Sequence, residues 1–226
     1  MSGAASQLDV AALAARIDHT LLDPFADEPQ VLLTCRDAAA WGCASVCVHP
    51  RWVSTAAGAL RQATTRVCTV VGFPHGANTV ETKVFETRAA LEAGADEIDM
   101  VLTLPAIVGR DGAAMEGEIR AVVDAADGRV VKVILESGNL NRPQIVAGCE
   151  AANRGGAHFV KTSTGFLGAG ADLEHVRLMR EVAAPSVGVK ASGGIRDRAT
   201  ALSMIDAGAQ RLGLSKTALV LGYQLA

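Results

Sequence analysis

Two lysines in similar contexts are the residues of this chain best suited to chemistry. The chain has five lysines against sixteen arginines, and Lys161 and Lys190 stand in the segments F-V-K-T-S-T-G and V-G-V-K-A-S-G-G. An arginine stays protonated, whereas a lysine in a suitable environment loses its proton and becomes an amine nucleophile. A single buried lysine more often pairs with a carboxylate. Two of them on equivalent apolar runs instead favour amine chemistry.

A second pair of segments has the composition of an anion site. Ser192, Gly193 and Gly194 follow the second lysine, and Ser215 and Lys216 follow a later apolar run. Glycines let backbone N–H groups approach a phosphate, and a helix that begins just after them adds its dipole. One G-G pair is weak support, but the two segments together predict a small phosphate site.

The elements that must position these residues alternate between apolar, β-branched runs and amphipathic segments with helical spacing. Eight apolar runs occur, at residues 17–22, 44–48, 67–73, 97–102, 130–136, 159–163, 187–191 and 211–215. The amphipathic segments between them are residues 28–41, 77–93, 112–126, 143–154, 173–182 and 198–207. This alternation predicts parallel strands joined by helices.

Eight such repeats predict an α/β fold of the (β/α)8 TIM-barrel type, with residues 1–226 forming a single domain. An open, doubly wound sheet is the alternative. It is disfavoured because no G-x-G-x-x-G motif follows the first apolar run. Residues 7–16 precede that run and predict an extra N-terminal helix.

The barrel fold predicts where the chemistry lies, because active sites of such barrels are built at the C-terminal ends of the strands. Asp99, in E-I-D-M-V-L, is expected to point inward with Lys161 and Lys190. Lowering the pKa of one lysine from about 10.4 to between about 7 and 8 requires roughly 4 kcal/mol. A second ammonium group at about 5 Å supplies on the order of 3 kcal/mol at an effective dielectric constant near 20, and burial supplies the rest. The residues alone leave open which lysine is the nucleophile, and also whether both merely pair with Asp99.

Composition excludes several classes of function. An aromatic content of 4% and a net charge of -3 argue against a nucleic-acid binder. No apolar stretch is long enough for a membrane span and the first residues do not resemble a signal peptide, so we expect a cytosolic protein without membrane contact. The five cysteines form no disulfide pattern and are expected to be reduced. Cys43, Cys47 and His49 are too few ligands to favour a zinc site.

Ordered motifs along the chain resemble the deoxyribose-phosphate aldolase family. They are I-D-H-T-L-L, V-C-V-H-P, G-F-P-H-G, A-D-E-I-D-M-V, V-K-V-I-L-E, F-V-K-T-S-T-G-F, V-K-A-S-G-G-I-R and R-L-G-L-S. The resemblance implies a class I aldolase of deoxyribose phosphate catabolism. Such an enzyme reversibly cleaves 2-deoxy-D-ribose 5-phosphate to acetaldehyde and D-glyceraldehyde 3-phosphate through a lysine Schiff base. It implies no metal and no organic cofactor, and a homodimer is the expected assembly.

The resemblance also assigns roles to individual residues. Lys161 becomes the Schiff-base lysine, Lys190 the neighbour that favours its neutral form, and Asp99 the carboxylate that moves protons with Lys190 and a water. The residues expected to contact or support the substrate are Thr164, Gly165, Gly193, Gly194, Ser215, Lys216, Asp18, Thr20, Cys47 and Lys132. Three features depart from the family pattern or lack a secure match: Lys216, Thr103 and the C-terminal Tyr223.

Two other functions compete with the aldolase. In a phosphate-binding isomerase or epimerase, Asp99 would be a general base and the lysines would only stabilise an enolate. A sugar-phosphate-binding regulator would keep the glycines and Ser215 but would not need two adjacent amines.

Overall fold

The strands form a closed barrel in which neighbours in sequence are neighbours in space. The structure, a computed structural model, describes residues 8–223. Its parallel strands are β1 Ile17–Leu21, β2 Ser45–Val48, β3 Arg66–Val71, β4 Glu97–Val101, β5 Val130–Ile134, β6 Phe159–Lys161, β7 Gly188–Ser192 and β8 Arg211–Leu214. Because β1 pairs with both β2 and β8, the sheet closes. The predicted (β/α)8 barrel is confirmed, and the open sheet is wrong.

Helices alternate with these strands as the amphipathic segments predicted. They are α1 Val10–Ala14, α2 Glu28–Trp41, α3 Val53–Ala59, α4 Val80–Glu92, α5 Leu104–Val108, α6 Gly112–Ala125, α7 Arg142–Gly155, α8 Leu173–Val182, α9 Arg198–Asp206 and α10 Thr217–Leu221. The extra N-terminal helix is α1, which is shorter than the predicted segment; residue 7 lies outside the described part of the chain. Within residues 8–223, no helix has the length and apolar character that crossing a bilayer requires.

Three short helices, α3, α5 and α10, were not predicted. Each has five to seven residues, too few to display a helical period, and isolated helices of that length are unstable in water. Each buries apolar side chains against the barrel, for example Val53 of α3 and Ile107 of α5. Tertiary packing therefore decides that these segments are helical.

Local signals fix the boundaries of the longer helices. The first turns of α2 and α7 carry capping boxes, formed by Asp27 with Gln30 and by Asn141 with Gln144. Gly208 follows α9 with a φ of 113°, and a Cβ there would lie 2.6 Å from Cγ of Arg180. Only glycine fits this turn into β8.

The interior of the barrel carries charged side chains, and strand alternation is the reason. On β4, Ile98 and Met100 belong to the apolar core beneath the helices, whereas Asp99 lies between them and contacts lysines of other strands. The register pairs Asp99 with Lys132 and Lys161 with Lys190. Charged side chains of neighbouring strands are thereby brought to nearly the same level of the barrel.

Candidate active site

A cavity of about 270 Å³ opens where the strands end. Seven of the residues predicted to act in the site line it: Thr20, Lys161, Thr164, Gly165, Gly193, Gly194 and Ser215. Five more lie fully buried in the barrel: Asp18, Cys47, Asp99, Lys132 and Lys190. Lys216 does neither, since it is exposed and outside the lining.

Lys161 is the lysine that reaches the cavity. It is the last residue of β6, its exposed fraction is 4%, and its Nζ donates to Oδ2 of Asp99 at 2.8 Å. All five lysines of the chain are described, and the other four do not line the cavity. A molecule bound there therefore meets a single amine.

Lys190 shares the carboxylate of Asp99 with Lys161. Its Nζ donates to the same Oδ2 atom at 2.7 Å and also to Asp18. Burial opposes the charge of Lys190, but the carboxylates of Asp18 and Asp99 outweigh it and raise the pKa of Lys190. The ammonium group of Lys190 is thus separated from Nζ of Lys161 only by the Asp99 oxygen to which both donate.

Asp99 is the centre of these contacts. Besides Lys161 and Lys190 it accepts a hydrogen bond from Lys132, at 2.7 Å to Oδ1. Burial disfavours its charge, yet the three ammonium groups hold the pKa of Asp99 well below its usual range. Asp99 is therefore a carboxylate at every pH at which the protein is expected to work.

Two charged residues of this network were missed by the sequence analysis. Arg211 of β8 lies with Nη1 2.6 Å from Asp18 and 3.2 Å from Glu97, and Glu97 of β4 lies 2.7 Å from Nζ of Lys132. Their signal was present, because each is a charged residue in an otherwise apolar run. The sequence did not show that closure of the barrel brings Arg211 of β8 next to Asp18 of β1.

Cys47 lies beside the network and not in the cavity wall. It is paired in register with Cys68 of β3, and both are fully buried. Cys68 donates to Oδ1 of Asp99 at 3.2 Å. The hydrogen bond from Cys68 lowers the pKa of Cys47, whereas burial raises the pKa of Cys68 well above its usual value.

The other end of the cavity has the backbone of an anion site. Gly193 and Gly194 have φ angles of 91° and 79°, and a Cβ on Gly193 would lie 2.9 Å from Cα of Gly170. The side chain of Arg196, also missed, adds a cation to the lining. It stands two residues before α9, the helix predicted to begin near this loop.

The T-S-T-G loop is held by Glu136, which follows β5. The N–H of Thr164 donates to Oε2 of Glu136 at 3.0 Å, and Oγ1 of Thr164 accepts from the N–H of Phe166 at 3.1 Å. Phe166 and Asp23 line the same cavity. Thr164 is thereby fixed at the cavity wall.

The features that depart from the family pattern lie away from the cavity. Lys216 precedes α10 on the surface, and Thr103 accepts a hydrogen bond from Lys83 at 3.2 Å. Tyr223 stacks on Trp41 with ring centroids 5.5 Å apart. None of the three lines the cavity.

Two groups of three side chains bring potential metal ligands together. The groups are Cys47, Cys68 and Asp99, and Asp18, Cys68 and Glu97, each with ligand atoms within 4.8 Å of one another. Every carboxylate in them already pairs with a buried lysine or arginine. An added cation would meet those positive charges, so the donor sets do not suit a metal ion.

A closed (β/α)8 barrel with a lysine-lined cavity at the C-terminal ends of its strands has the architecture of the barrel enzymes. The sequence matches the model of the DeoC/LacD family aldolases over residues 13–216. It is 50% identical over 204 residues to deoxyribose-phosphate aldolase 1 of Bacillus licheniformis, covering 90% of this chain and 92% of that protein. The chain therefore belongs to the DeoC/LacD aldolase family and is a lyase.

Solved structures agree with this assignment. The crystal structure of a putative deoxyribose-phosphate aldolase from Coccidioides immitis superposes with a TM-score of 0.92 at 40% identity, covering 95% of this chain and 86% of that chain. A deoxyribose phosphate aldolase from Aeropyrum pernix, described as a unique tetramer, gives 0.89 at 36% identity and covers 95% and 91%. The resemblance seen in the motifs is thus confirmed for both sequence and fold.

Proposed function

We propose that this protein is a class I aldolase that reversibly cleaves 2-deoxy-D-ribose 5-phosphate to acetaldehyde and D-glyceraldehyde 3-phosphate, a catabolic reaction. One observation carries the proposal. Lys161 is the single lysine at the cavity wall, and it shares Oδ2 of Asp99 with the buried cation Lys190. A cation held this close opposes a second positive charge and so favours the neutral amine that attacks a carbonyl.

The reaction begins when the neutral Lys161 amine adds to C1 of the open-chain sugar. Loss of water from the carbinolamine gives an iminium ion, which withdraws electrons from the neighbouring carbons. The C3 hydroxyl gives up its proton, the C2–C3 bond breaks, and its electron pair forms an enamine as glyceraldehyde 3-phosphate leaves. Protonation of the enamine at C2 and addition of water release acetaldehyde and restore the lysine.

Asp99 and Lys190 are the groups suited to the proton transfers. Asp99 contacts both ammonium groups, and Thr164 holds its hydroxyl at the same wall of the cavity. A water between these residues and the substrate is the proposed carrier of the C3 hydroxyl proton. General acid–base assistance of this kind contributes about a hundredfold to ten-thousandfold in rate.

The phosphate is proposed to lie at the glycine-rich end. Gly193 and Gly194 present backbone N–H groups there, Ser215 offers a hydroxyl and Arg196 a guanidinium group. The remote phosphate then supplies binding energy that holds the reacting end near the amine. Lys216 lies outside this lining, so its predicted contact requires a different conformation of its side chain.

Borohydride reduction with acetaldehyde tests both the reaction class and the nucleophile. We expect a stable increase of about 28 Da on Lys161, the mass of one reduced acetaldehyde imine. The Lys161→Arg variant should give no adduct and lose at least about a thousandfold in kcat. Lys216→Arg is the matched control, because it changes an exposed lysine and should keep both adduct and turnover. An isomerase would leave the wild-type enzyme unmodified, and that result would refute the proposal.

Cellular location and assembly also belong to the proposal. The five cysteines are free and buried, which suits the reducing cytoplasm. A homodimer is proposed for the assembly, and exposed aromatic side chains on the outer surface support an apolar contact between chains.

A further inference from the structure

We propose that Glu97 and Arg211 are positioning residues that close a ring of alternating charges and thereby keep the Lys161 amine uncharged. The inference rests on the proposed aldolase function but assigns a role to two residues that lie outside the cavity lining. Neither residue is expected to touch a substrate.

The ring has six members that alternate in sign. Arg211 contacts Asp18 at 2.6 Å, Asp18 contacts Lys190, and Lys190 contacts Asp99 at 2.7 Å. Asp99 contacts Lys132 at 2.7 Å, Lys132 contacts Glu97 at 2.7 Å, and Glu97 returns to Arg211 at 3.2 Å. The members come from β1, β4, β5, β7 and β8, so the ring spans the barrel interior.

Lys161 is attached to this ring and is not part of it. Lys190 and Arg211 each contact two carboxylates and Lys132 contacts three, whereas the ion pairs of Lys161 comprise Asp99 alone among residues 8–223. Three carboxylates balance the three cations of the ring. A charged Lys161 would therefore be a fourth buried cation that has to share the carboxylate of Asp99 with Lys132 and Lys190, which is unfavourable in a low-dielectric interior.

The titratable groups of the network come from the seven strands other than β6. They are Asp18, Cys47, Cys68, Glu97, Asp99, Lys132, Lys190 and Arg211, with Arg66 3.9 Å from the far oxygen of Glu97 and the buried carboxylate Glu136 beside the loop that follows Lys161. Burial raises the pKa of the Cys68 thiol, so Cys68 adds no charge to the network, whereas the hydrogen bond from Cys68 lowers the pKa of Cys47. The charge that Lys161 experiences is thus set by the ring as a whole, with Glu97 and Arg211 as its distal members.

Substitution of either distal residue should move the acid limb of the kcat/KM profile, in opposite directions. Arg211→Met removes a cation, so a charged Lys161 becomes balanced and the limb moves to higher pH. Glu97→Gln removes an anion, and the limb moves to lower pH. A unit charge at roughly 10 Å and an effective dielectric constant near 20 corresponds to a shift of about one pH unit, or tenfold at a fixed pH on the limb.

The double variant Glu97→Gln with Arg211→Met separates charge from structure. It removes one buried cation and one buried anion, so the net charge around Lys161 is the same as in wild type. Its acid limb should therefore return to within about a third of a pH unit of the wild-type limb. Arg211→Lys retains the charge and should also keep the wild-type limb. A purely structural role would instead make the double variant worse than either single variant.

A buried ion pair outside the site provides the matched control. Lys83 of α4 and Glu118 of α6 lie 2.5 Å apart and are nearly unexposed, but neither lines the cavity. Glu118→Gln should lower the melting temperature and leave the acid limb in place. Each variant is followed by thermal unfolding and by the pH dependence of the rate of borohydride trapping on Lys161.

The outcomes distinguish this inference from the proposed function. Lack of a wild-type adduct on Lys161 would sink the aldolase mechanism itself. If the wild-type enzyme forms the adduct but the acid limbs of Glu97→Gln and Arg211→Met do not shift, or shift in the same direction, only the role of the ring is refuted. The role of the ring is also refuted if the acid limb of Arg211→Lys moves as far as that of Arg211→Met, because the loss of charge would then not be the cause of the shift.

Discussion

At the scale of single residues, the shared oxygen of Asp99 is the basis of the proposed chemistry. Two lysines on adjacent strands donate to that one atom, at 2.8 and 2.7 Å, and they differ in what else surrounds them. Lys190 is fully buried with a second carboxylate, Asp18, whereas Lys161 faces the cavity. Under the proposed function, the same residue type therefore takes two roles, with Lys190 as the cation and Lys161 as the amine nucleophile.

Asp99→Asn is predicted to abolish this division of roles. The amide keeps the shape of the carboxylate but leaves the Nζ atoms of Lys132, Lys161 and Lys190 without their common anion. We expect kcat to fall at least about a hundredfold and the free energy of unfolding at pH 7 to fall by about 3–5 kcal/mol. Steady-state kinetics and denaturant unfolding measure the two effects. Near-wild-type turnover in a folded Asn variant would remove Asp99 from the proton transfers.

The same variant has a predicted pH signature. The pKa of Asp99 is lower in the folded than in the unfolded protein, so its contribution to stability is full above about pH 4 and is lost as pH falls towards the folded value. Urea unfolding between pH 7 and pH 3 should therefore show a smaller acid loss in Asp99→Asn than in wild type. Equal acid losses would mean that Asp99 is not the group that titrates.

At the scale of elements, the loops after β6 and β7 shape the cavity. Gly193 approaches Gly170 so closely that a side chain there cannot be accommodated without backbone movement, and its carbonyl accepts the N–H of Ala171 at 2.9 Å. The β7–α9 loop is thereby fastened to the segment after the T-S-T-G motif. The glycine-rich end and the lysine end of the cavity are thus built as one unit.

Gly193→Ala is predicted to weaken binding of the phosphorylated substrate. The φ of 91° and the contact with Gly170 should displace the loop, raising KM about tenfold or more, which corresponds to about 1.4 kcal/mol. Gly128→Ala is the control: its φ of 77° imposes a similar backbone cost, but the surrounding space is open. Kinetics with phosphorylated substrate decide the matter, and an equal KM in both variants would remove this loop from phosphate binding.

At the scale of the whole molecule, the outer surface carries large apolar side chains without a cover in the described chain. Phe25, in the β1–α2 loop, is 91% exposed and Phe85, on α4, is 71% exposed. Exposed aromatic side chains are common in contacts between subunits. They are consistent with the proposed homodimer, whereas the Aeropyrum pernix relative is described as a tetramer.

We predict that light scattering will give a mass of two chains of 23.3 kDa each. Phe25→Ser and Phe85→Ser should identify which surface forms the contact, because the variant at the interface should shift the mass towards one chain at low concentration. The other variant serves as the control for a general loss of solubility. A monomeric wild type would refute the homodimer, and a four-chain particle would replace it with the tetramer.

The sequence by itself determined the barrel and the catalytic candidates. Eight apolar runs and the amphipathic segments between them predicted strands and helices with boundaries a few residues from those observed, because period and capping are local properties. Alternation of side chains along a strand also led us to expect Asp99, Lys161 and Lys190 to point inward.

Only the tertiary structure decided which lysine meets the cavity and which residues complete its surroundings. Glu97 and Arg211 stand far apart in the chain, and each looks like an isolated charge until closure of β8 on β1 brings them together. The short helices α3, α5 and α10 likewise exist only through packing. Contacts between distant strands depend on register and closure, which no local pattern encodes, and the charge state of a buried amine depends on the sum of those contacts.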